Sequence, residues 1–352
     1  MSDMYKMDSH KLMYHPERVT QWLKGDNIYP LCIEISPSGC CNHRCVFCGL
    51  DYLGYKKVFL DRELILDNLV EMHEKGLKSL VVCGEGEPLL NPDTPAIIKG
   101  AALTGLDVAL ATNGVLFNEE ISKETLPHLK WVRFSLNAGT SINYSDIHGT
   151  KPDDFTKVLH NIKSAVIIKK QENLSVTIGV QFILLPQNET DVILLAEILK
   201  DIGVDYFSIK PFSKHPKSGK SIDPDYKNHE ELEKRLEALN TNGFNVIFRS
   251  SSMKKKKKPK SYDKCLGIPF WGYIDSNAEV WSCISYIGVD GFSYGNLKEK
   301  RFVDIWESAH KKEVVDRITC MDITDCRELC RLDEINGYLQ RLKDPFSHDN
   351  FI

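Results

Sequence analysis

Between Leu31 and about Phe248, short apolar runs rich in β-branched residues alternate with longer stretches whose apolar positions recur every three or four residues. The runs Leu31–Ser36, Ser79–Cys83, Asp107–Ala111, Trp131–Leu136, Ser175–Leu184 and Tyr206–Lys210 read as strands. The stretches Arg62–Lys75, Thr94–Leu103, Phe155–Lys170, Asp191–Ile202 and His229–Leu239 read as helices. Alternation of this kind predicts βαβ units and a parallel sheet. Six units fall short of the eight that close a complete barrel. The expected architecture is therefore α/β, an open partial (β/α)6 barrel over residues 31–250, with its chemistry at the carboxyl ends of the strands.

The alternation stops near Ser250. Lys254 to Lys258 form an unbroken lysine run, followed by Pro259 and Lys260, so residues 251–264 read as an exposed lysine-rich linker or loop. It is either a solvated turn or a lid that draws in an anionic substrate. Residues 1–30 form an N-terminal extension and residues 265–352 a small cysteine-rich α+β unit. At 352 residues the chain has room for a barrel-sized domain and a smaller one. A hydrophobic content of 42% and a charged content of 27% are those of an ordinary globular protein. The net charge of -4 gives no reason to expect nucleic acid as a partner. Met1 to His15 carry no secretory signal, and no apolar stretch is long enough for a bilayer, so no membrane is expected. The eleven cysteines are accordingly expected to be reduced, in the cytoplasm, and free for iron.

Cys41-Asn42-His43-Arg44-Cys45-Val46-Phe47-Cys48 follows the first strand. Three thiolates on one tight loop can hold three irons of a [4Fe-4S] cubane and leave the fourth without a protein ligand. A structural zinc ion would close its tetrahedron with a fourth Cys or His. Cys40 and His43 are too cramped by adjacency to add to the same metal. The CxxxCxxC pattern resembles the radical S-adenosylmethionine (radical SAM) superfamily. The resemblance implies a radical SAM partial barrel. In that family the open iron chelates the methionine moiety of S-adenosylmethionine, and an electron from the cluster cleaves it to a 5′-deoxyadenosyl radical. Phe47 matches the aromatic position beside the adenine; the plain alternative is a loop aromatic packed on the barrel. Cys83-Gly84-Glu85-Gly86-Glu87-Pro88 resembles the family's GGEP motif, with Glu85 in place of the first Gly. By that match Gly86 and Glu87 reach the methionine amino group. Asn113 after the third strand, and Ser135 and Asn137 after the fourth, match residues along the cofactor, the latter two toward the ribose; otherwise they are turn formers or caps. Gln181 and Lys210 point by position to the same end. Lys210 would neutralise the methionine carboxylate or bind substrate, or else be a snorkelling strand-end lysine.

Cys265, Cys283, Cys320, Cys326 and Cys330 form a second set, which in a reduced chain calls for metal. Asp275-Ser276-Asn277-Ala278-Glu279-Val280-Trp281-Ser282-Cys283, then Gly295-Asn296-Leu297 and Phe302-Val303-Asp304-Ile305-Trp306, resemble a SPASM or Twitch domain. Ala278 stands where that family has Gly, Arg317 stands where it has a cysteine, and no cysteine follows Cys330. The resemblance then implies one auxiliary [4Fe-4S] cluster on Cys265, Cys283, Cys326 and Cys330, with Cys320 competing for one of the last two places. Zinc on the same thiols is the alternative. If left over, Cys320 is a candidate hydrogen-atom donor or a small buried hydrophobe. Cys32 and Cys83 fall in strand-like runs and read as core residues.

The expected function follows from the resemblance. The enzyme reductively cleaves S-adenosylmethionine and abstracts hydrogen from a small polar or anionic substrate, such as a sugar, aminocyclitol or nucleotide-linked metabolite. Dehydrogenation or epimerisation results, assisted by the auxiliary cluster and by an electron donor such as flavodoxin or ferredoxin. Dehydrogenation is favoured, because iron competes for Cys320. The segment before Leu31 is expected to be too short for a winged-helix leader-binding module. One alternative is a maturase modifying a peptide or protein side chain. Another is an iron–sulfur electron-transfer protein, against which the GGEP-like, Ser135 and Asn137 matches count.

Overall fold

The computed structural model describes every residue except 1–4, 6, 8, 221, 257 and 352. Seven strands run parallel in chain order: β1 Cys32–Ile35, β2 Ser79–Val82, β3 Asp107–Thr112, β4 Trp131–Ser135, β5 Thr177–Leu184, β6 Tyr206–Pro211 and β7 Asn245–Phe248. The first six agree with expectation to within two residues at either end. The seventh is an addition to the expected six, four residues after Gly243 that are too short to register as a period. The result is an open partial barrel.

Strand residues alternate between two environments, as a two-residue pleat requires. Leu80, Leu110, Val132, Phe134, Ile178, Val180, Phe182, Phe207 and Ile209 are buried completely. The helices Arg62–Glu74, Thr94–Leu103, Asp153–Gln171 and Val192–Ile202 contribute Ile65, Leu69, Ile97, Ile98, Val158, Ile162, Leu195 and Leu199 to the same core. The alternate positions carry Arg133, Ser135, Gln181 and Lys210, only half-buried, which is the polar lining of an open bore. Cys32 and Cys83 are half-buried too, and the Cys83 Sγ lies 3.5 Å from the Glu34 carboxylate. Cys32 packs against an apolar cluster that includes Trp271 and Tyr273, in keeping with the core role expected for it, whereas Cys83 faces a carboxylate.

The cysteine-rich C-terminal segment continues the same sheet. Strand β8, Trp271–Ile274, pairs parallel with β1 on its free edge, and β9, Glu279–Trp281, and β10, Ser293–Asn296, follow antiparallel. In the β8–β9 turn Ala278 has φ +67, a left-handed conformation that costs a residue with a Cβ about 1–2 kcal/mol. The Asp275 carboxylate offsets that cost, accepting from the amides of Asn277 and Glu279 and from Trp281 Nε1 at 2.8–2.9 Å. Trp306 is fully buried between Phe302 and Tyr294, and its Nε1 donates to the Ile28 carbonyl at 2.8 Å, joining this segment to the chain before β1.

The lysine run departs from the expected loop. Its first residues belong to the helix Ser250–Lys255, and Lys257 lies outside the described residues. Lys255, Lys256 and Lys260 pair with Glu334, Asp223 and Asp333. No described helix is long and apolar enough to cross a membrane.

Trp306→Ala removes a buried indole and orphans the Ile28 carbonyl. It should cost about 3–5 kcal/mol of unfolding free energy in denaturant titrations, with loss of under about 1 kcal/mol contradicting this joint.

Candidate active site

The loop after β1 is pinned from three sides. Gly39 N–H donates to the Val58 carbonyl, while Arg44 and Val46 amides donate to the carbonyls of His148 and Ile147, all at 2.9 Å. Glu87 N–H donates to the Cys40 carbonyl at 2.9 Å, and Asn113 Nδ2 to Asn42 Oδ1 at 2.6 Å. Cys48 lies close enough to raise the proton affinity of Cys41, and both raise that of Cys45. Burial first, then its neighbours Glu87 and Cys48, push the Cys41 thiol up to about 11. Burial, then Cys41 and Cys48, push Cys45 well above the ordinary thiol range. Thiols disfavoured as anions give up their protons when a metal binds. Three sulfurs on one loop suit a cluster with one open iron.

Gly86 is dictated by this packing, since a Cβ there would lie 1.9 Å from the Cys40 carbonyl oxygen. The Glu87 carboxylate is buried and already accepts three hydrogen bonds, from Thr112 Oγ1 at 2.6 Å, Asn113 N at 2.7 Å and Leu89 N at 3.2 Å. Asn113 accepts from Val115 N as well as donating to Asn42. Asn137 accepts from Ile183 N at 2.6 Å and donates to His148 Nε2. The side chains of Glu87, Asn113 and Asn137 tie strand ends together at the place where contact with the cosubstrate is expected. Ser135 and Gln181 stand opposite each other in the β4–β5 register and remain half-buried on the bore face, as expected of groups available to a ligand. Phe47 meets the His148 ring edge-on at 5.6 Å.

Glu85, the departure from the family motif, turns toward the C-terminal hairpin. Its carboxylate accepts from Ser276 N at 3.0 Å and Ser276 Oγ at 3.2 Å. Burial raises it to about 7 despite those donors.

The second thiol group is Cys265, Cys283, Cys326 and Cys330. Burial, with Cys283 and Cys326 adding, pushes Cys265 up to about 12, and burial with Cys283 and Cys265 pushes Cys330 the same way. Amide donors face three of the sulfurs at 3.4–3.6 Å: Ser285 N on Cys283, Leu332 N on Cys330 and Asn336 Nδ2 on Cys265. Cys320 is exposed at the end of the helix Ala309–Thr319, away from the buried environment expected of a hydrophobe or a hydrogen donor. Arg317 donates to the Gly291 carbonyl at 2.6 Å.

A cavity of about 300 Å³ has Phe47, Lys210, Arg249, Arg327, Cys330 and Arg331 in its walls. Burial and the like charges of Arg133, Arg249 and Arg327 push Lys210 well below the usual lysine range. Among the described residues no carboxylate pairs with it, and the acids nearest the cavity are taken: Asp333 by Lys260, Glu334 by Lys255, Glu34 by Arg331. The sequence pattern singled out none of these arginines, nor Asn42, nor His148. His148 ends the helix Ser141–His148, whose signals were a Thr140 cap and Gly149 in the left-handed region at φ +57.

Residues 35–194 match the Radical SAM superfamily. The chain therefore contains a radical SAM domain. A domain of this kind implies a [4Fe-4S] cluster and S-adenosylmethionine. Among curated radical SAM relatives, the "Probable GTP 3',8-cyclase" of Saccharolobus solfataricus is 27% identical over 209 residues, 59% of this chain and 65% of that protein. Its namesake from Metallosphaera sedula is 27% identical over 208 residues, 58% of this chain and 62% of that one. The chain thus spans less than two thirds of these relatives' length. Among solved structures, Streptococcus suis SuiB bound to precursor peptide SuiA superposes with TM-score 0.66 at 17% identity, covering 88% of this chain and 71% of SuiB. AnSMEcpe with bound AdoMet gives TM-score 0.57 at 19% identity, covering 90% and 96%. At such identities the likeness shows the fold, a radical SAM barrel with a C-terminal extension.

Because Glu85 has a higher pKa folded than its ordinary 4.5, its contribution to stability is full below 4.5 and is lost as pH rises through about 7. Glu85→Gln keeps the oxygen that accepts from Ser276 and does not titrate. The variant should gain on the wild type by an amount on the order of 1–3 kcal/mol between pH 4.5 and 8 in denaturant titrations; a constant difference across that window would contradict the buried carboxyl.

Proposed function

We propose that this radical SAM protein abstracts a hydrogen atom from a small anionic substrate lying between its two thiol groups, and oxidises it. The observation that carries this reading is the cationic cavity with Phe47 of the first cysteine loop and Cys330 of the second thiol group both in its walls. When bound, a cluster on Cys41, Cys45 and Cys48 supplies the electron that splits S-adenosylmethionine into methionine and a 5′-deoxyadenosyl radical, and an auxiliary [4Fe-4S] cluster on Cys265, Cys283, Cys326 and Cys330 takes up an electron leaving the substrate.

The chain's own residues hold and orient. Lys210 and Arg327 face a phosphate or carboxylate there, and the charge of a bound anion favours the protonated Lys210 that burial and its arginine neighbours disfavour. Arg327 is already aimed by Ser213, whose hydroxyl and carbonyl accept from Nε at 2.9 Å and Nη2 at 3.3 Å. Ser135 and Gln181 are available for the cosubstrate, and Phe47 excludes water from it. The name of the curated relatives supports a nucleotide as the anion. Exposure of Cys320 counts against epimerisation, which needs a thiol to return a hydrogen atom inside a closed site. Oxidation needs none: the substrate radical releases one electron and one proton. Arg317 in place of a cysteine supports a C-terminal unit of SPASM or Twitch type with a single cluster.

Anaerobically reconstituted protein should carry iron and sulfide for two clusters, and the triple variant Cys41/Cys45/Cys48→Ala for one. Stoichiometric zinc in place of the second would overturn the auxiliary site. Dithionite-reduced enzyme should release 5′-deoxyadenosine, and Cys45→Ala should not. With phosphorylated sugars and nucleotides as probes, Lys210→Met or Arg327→Gln should weaken binding by roughly 10–100-fold, the worth of one charge-assisted hydrogen bond. Equal binding by these variants, or turnover of a peptide and of no anionic small molecule, would refute the substrate class.

A further inference from the structure

We infer that His148 is a positioning residue that donates a hydrogen bond from its Nδ1 to the Sγ of Cys45, and so raises the reduction potential of the cluster that Cys45 helps to hold. The inference rests on the reading of Cys45 as an iron ligand.

The tautomer follows from geometry alone. His148 Nε2 lies 3.2 Å from the backbone nitrogen of Asn137, and a backbone N–H can only donate. Nε2 is therefore the acceptor and carries no proton. The ring proton is on Nδ1, and Nδ1 faces Cys45 Sγ at 3.4 Å. Asn137 is itself fixed. Its Oδ1 accepts from Ile183 N at 2.6 Å, which turns its Nδ2 toward His148 Nε2 at 3.3 Å, while Asn188 Nδ2 holds its carbonyl at 2.9 Å. A one-way chain of donors thus runs from the β5 backbone through Asn137 and His148 to the sulfur.

The ring has no freedom to leave. His148 is 1% exposed, stacked on Tyr144 at 4.3 Å, with Phe47 and His43 against it edge-on at 5.6 and 5.3 Å. Its backbone carbonyl accepts from Arg44 N, next to Cys45 in the loop, and a Cβ on Gly149 would come within 2.5 Å of the Arg44 carbonyl oxygen. Helix end and cysteine loop are therefore one rigid piece. His43, Cys45 and His148 bring donor atoms within 4.8 Å of one another, a spacing that also suits direct ligation. A protonated Nδ1 has no lone pair to give, which makes His148 a donor to the sulfur and not a ligand. A hydrogen bond to a cysteinyl sulfur favours the more negative, reduced cluster, because it draws charge from the sulfur.

Reconstituted holoenzyme is titrated with dithionite and followed by electron paramagnetic resonance, taking the signal that shifts on adding S-adenosylmethionine. His148→Leu should lower the midpoint potential of that signal at unchanged iron content. His148→Gln, which keeps a donor and an acceptor, should return it toward wild type. An unchanged potential in His148→Leu with unchanged iron would overturn the inference. Should His148→Leu lose iron, wild type labelled with ¹⁵N-histidine decides by hyperfine spectroscopy. A weak ¹⁵N coupling that disappears in His148→Gln supports the hydrogen bond. No such coupling, or one strong enough for an iron–nitrogen bond, overturns it. Retention of the S-adenosylmethionine-responsive signal in Cys45→Ala would instead overturn the ligand reading beneath it.

Discussion

A buried polar network at the carboxyl ends of β1 to β5 is the constraint on which the rest of the structure depends. Glu87 is its centre: one carboxylate, shut away from water, accepts from the loops after β2 and β3, while its own amide holds the cysteine loop through the Cys40 carbonyl. A buried carboxylate is tolerable only when satisfied, so removing any one donor leaves a charge in a poor solvent. Asn113 and Asn137 extend the same logic to Asn42, Ile183 and His148. The reactive loop is therefore held by neighbours that follow three other strands, β2, β3 and β4, and its three sulfurs are placed before any metal arrives.

That placement explains why the thiols are poor anions in isolation. Burial opposes the thiolate in both groups, and amide donors already point at several of the sulfurs. The sites are built for a charged guest whose binding free energy is needed to ionise them. The cavity with Phe47 and Cys330 in its walls also holds Lys210 and Arg327, while the neighbouring acids Asp333 and Glu334 are paired with Lys260 and Lys255. Those two cations are the physical basis for the anionic substrate proposed above.

The C-terminal segment is not an appendage on a linker. Strand β8 lengthens the barrel sheet at β1, Trp306 locks to the chain before β1, and Glu85 reaches from the loop after β2 to the β8–β9 turn. Glu85 is the residue that departs from the family's glycine, and its side chain makes the connection. The hairpin that leads to Cys283 is thereby hydrogen-bonded to the loop that carries Glu87.

Local pattern was enough for the strands and helices of the barrel, because pleat and helix periods are written in consecutive residues. It singled out Cys41, Cys45 and Cys48 by their spacing and grouped Cys265, Cys283, Cys326 and Cys330, thiols that the fold does bring near one another. It failed at β7 and at the helix Ser141–His148, where four to eight residues carry too few turns of either period. It named Glu87, Asn113 and Asn137 at the strand ends but not their neighbours, since a polar residue there looks the same in sequence whatever it meets. Only the tertiary structure decided that these side chains also tie loops and strand ends together, that Cys320 stands in solvent, and that Lys210 meets Arg249 and Arg327. Those facts depend on contacts between residues tens to hundreds of positions apart, and the pairing of the strands into one sheet, not any local preference, brings them within reach.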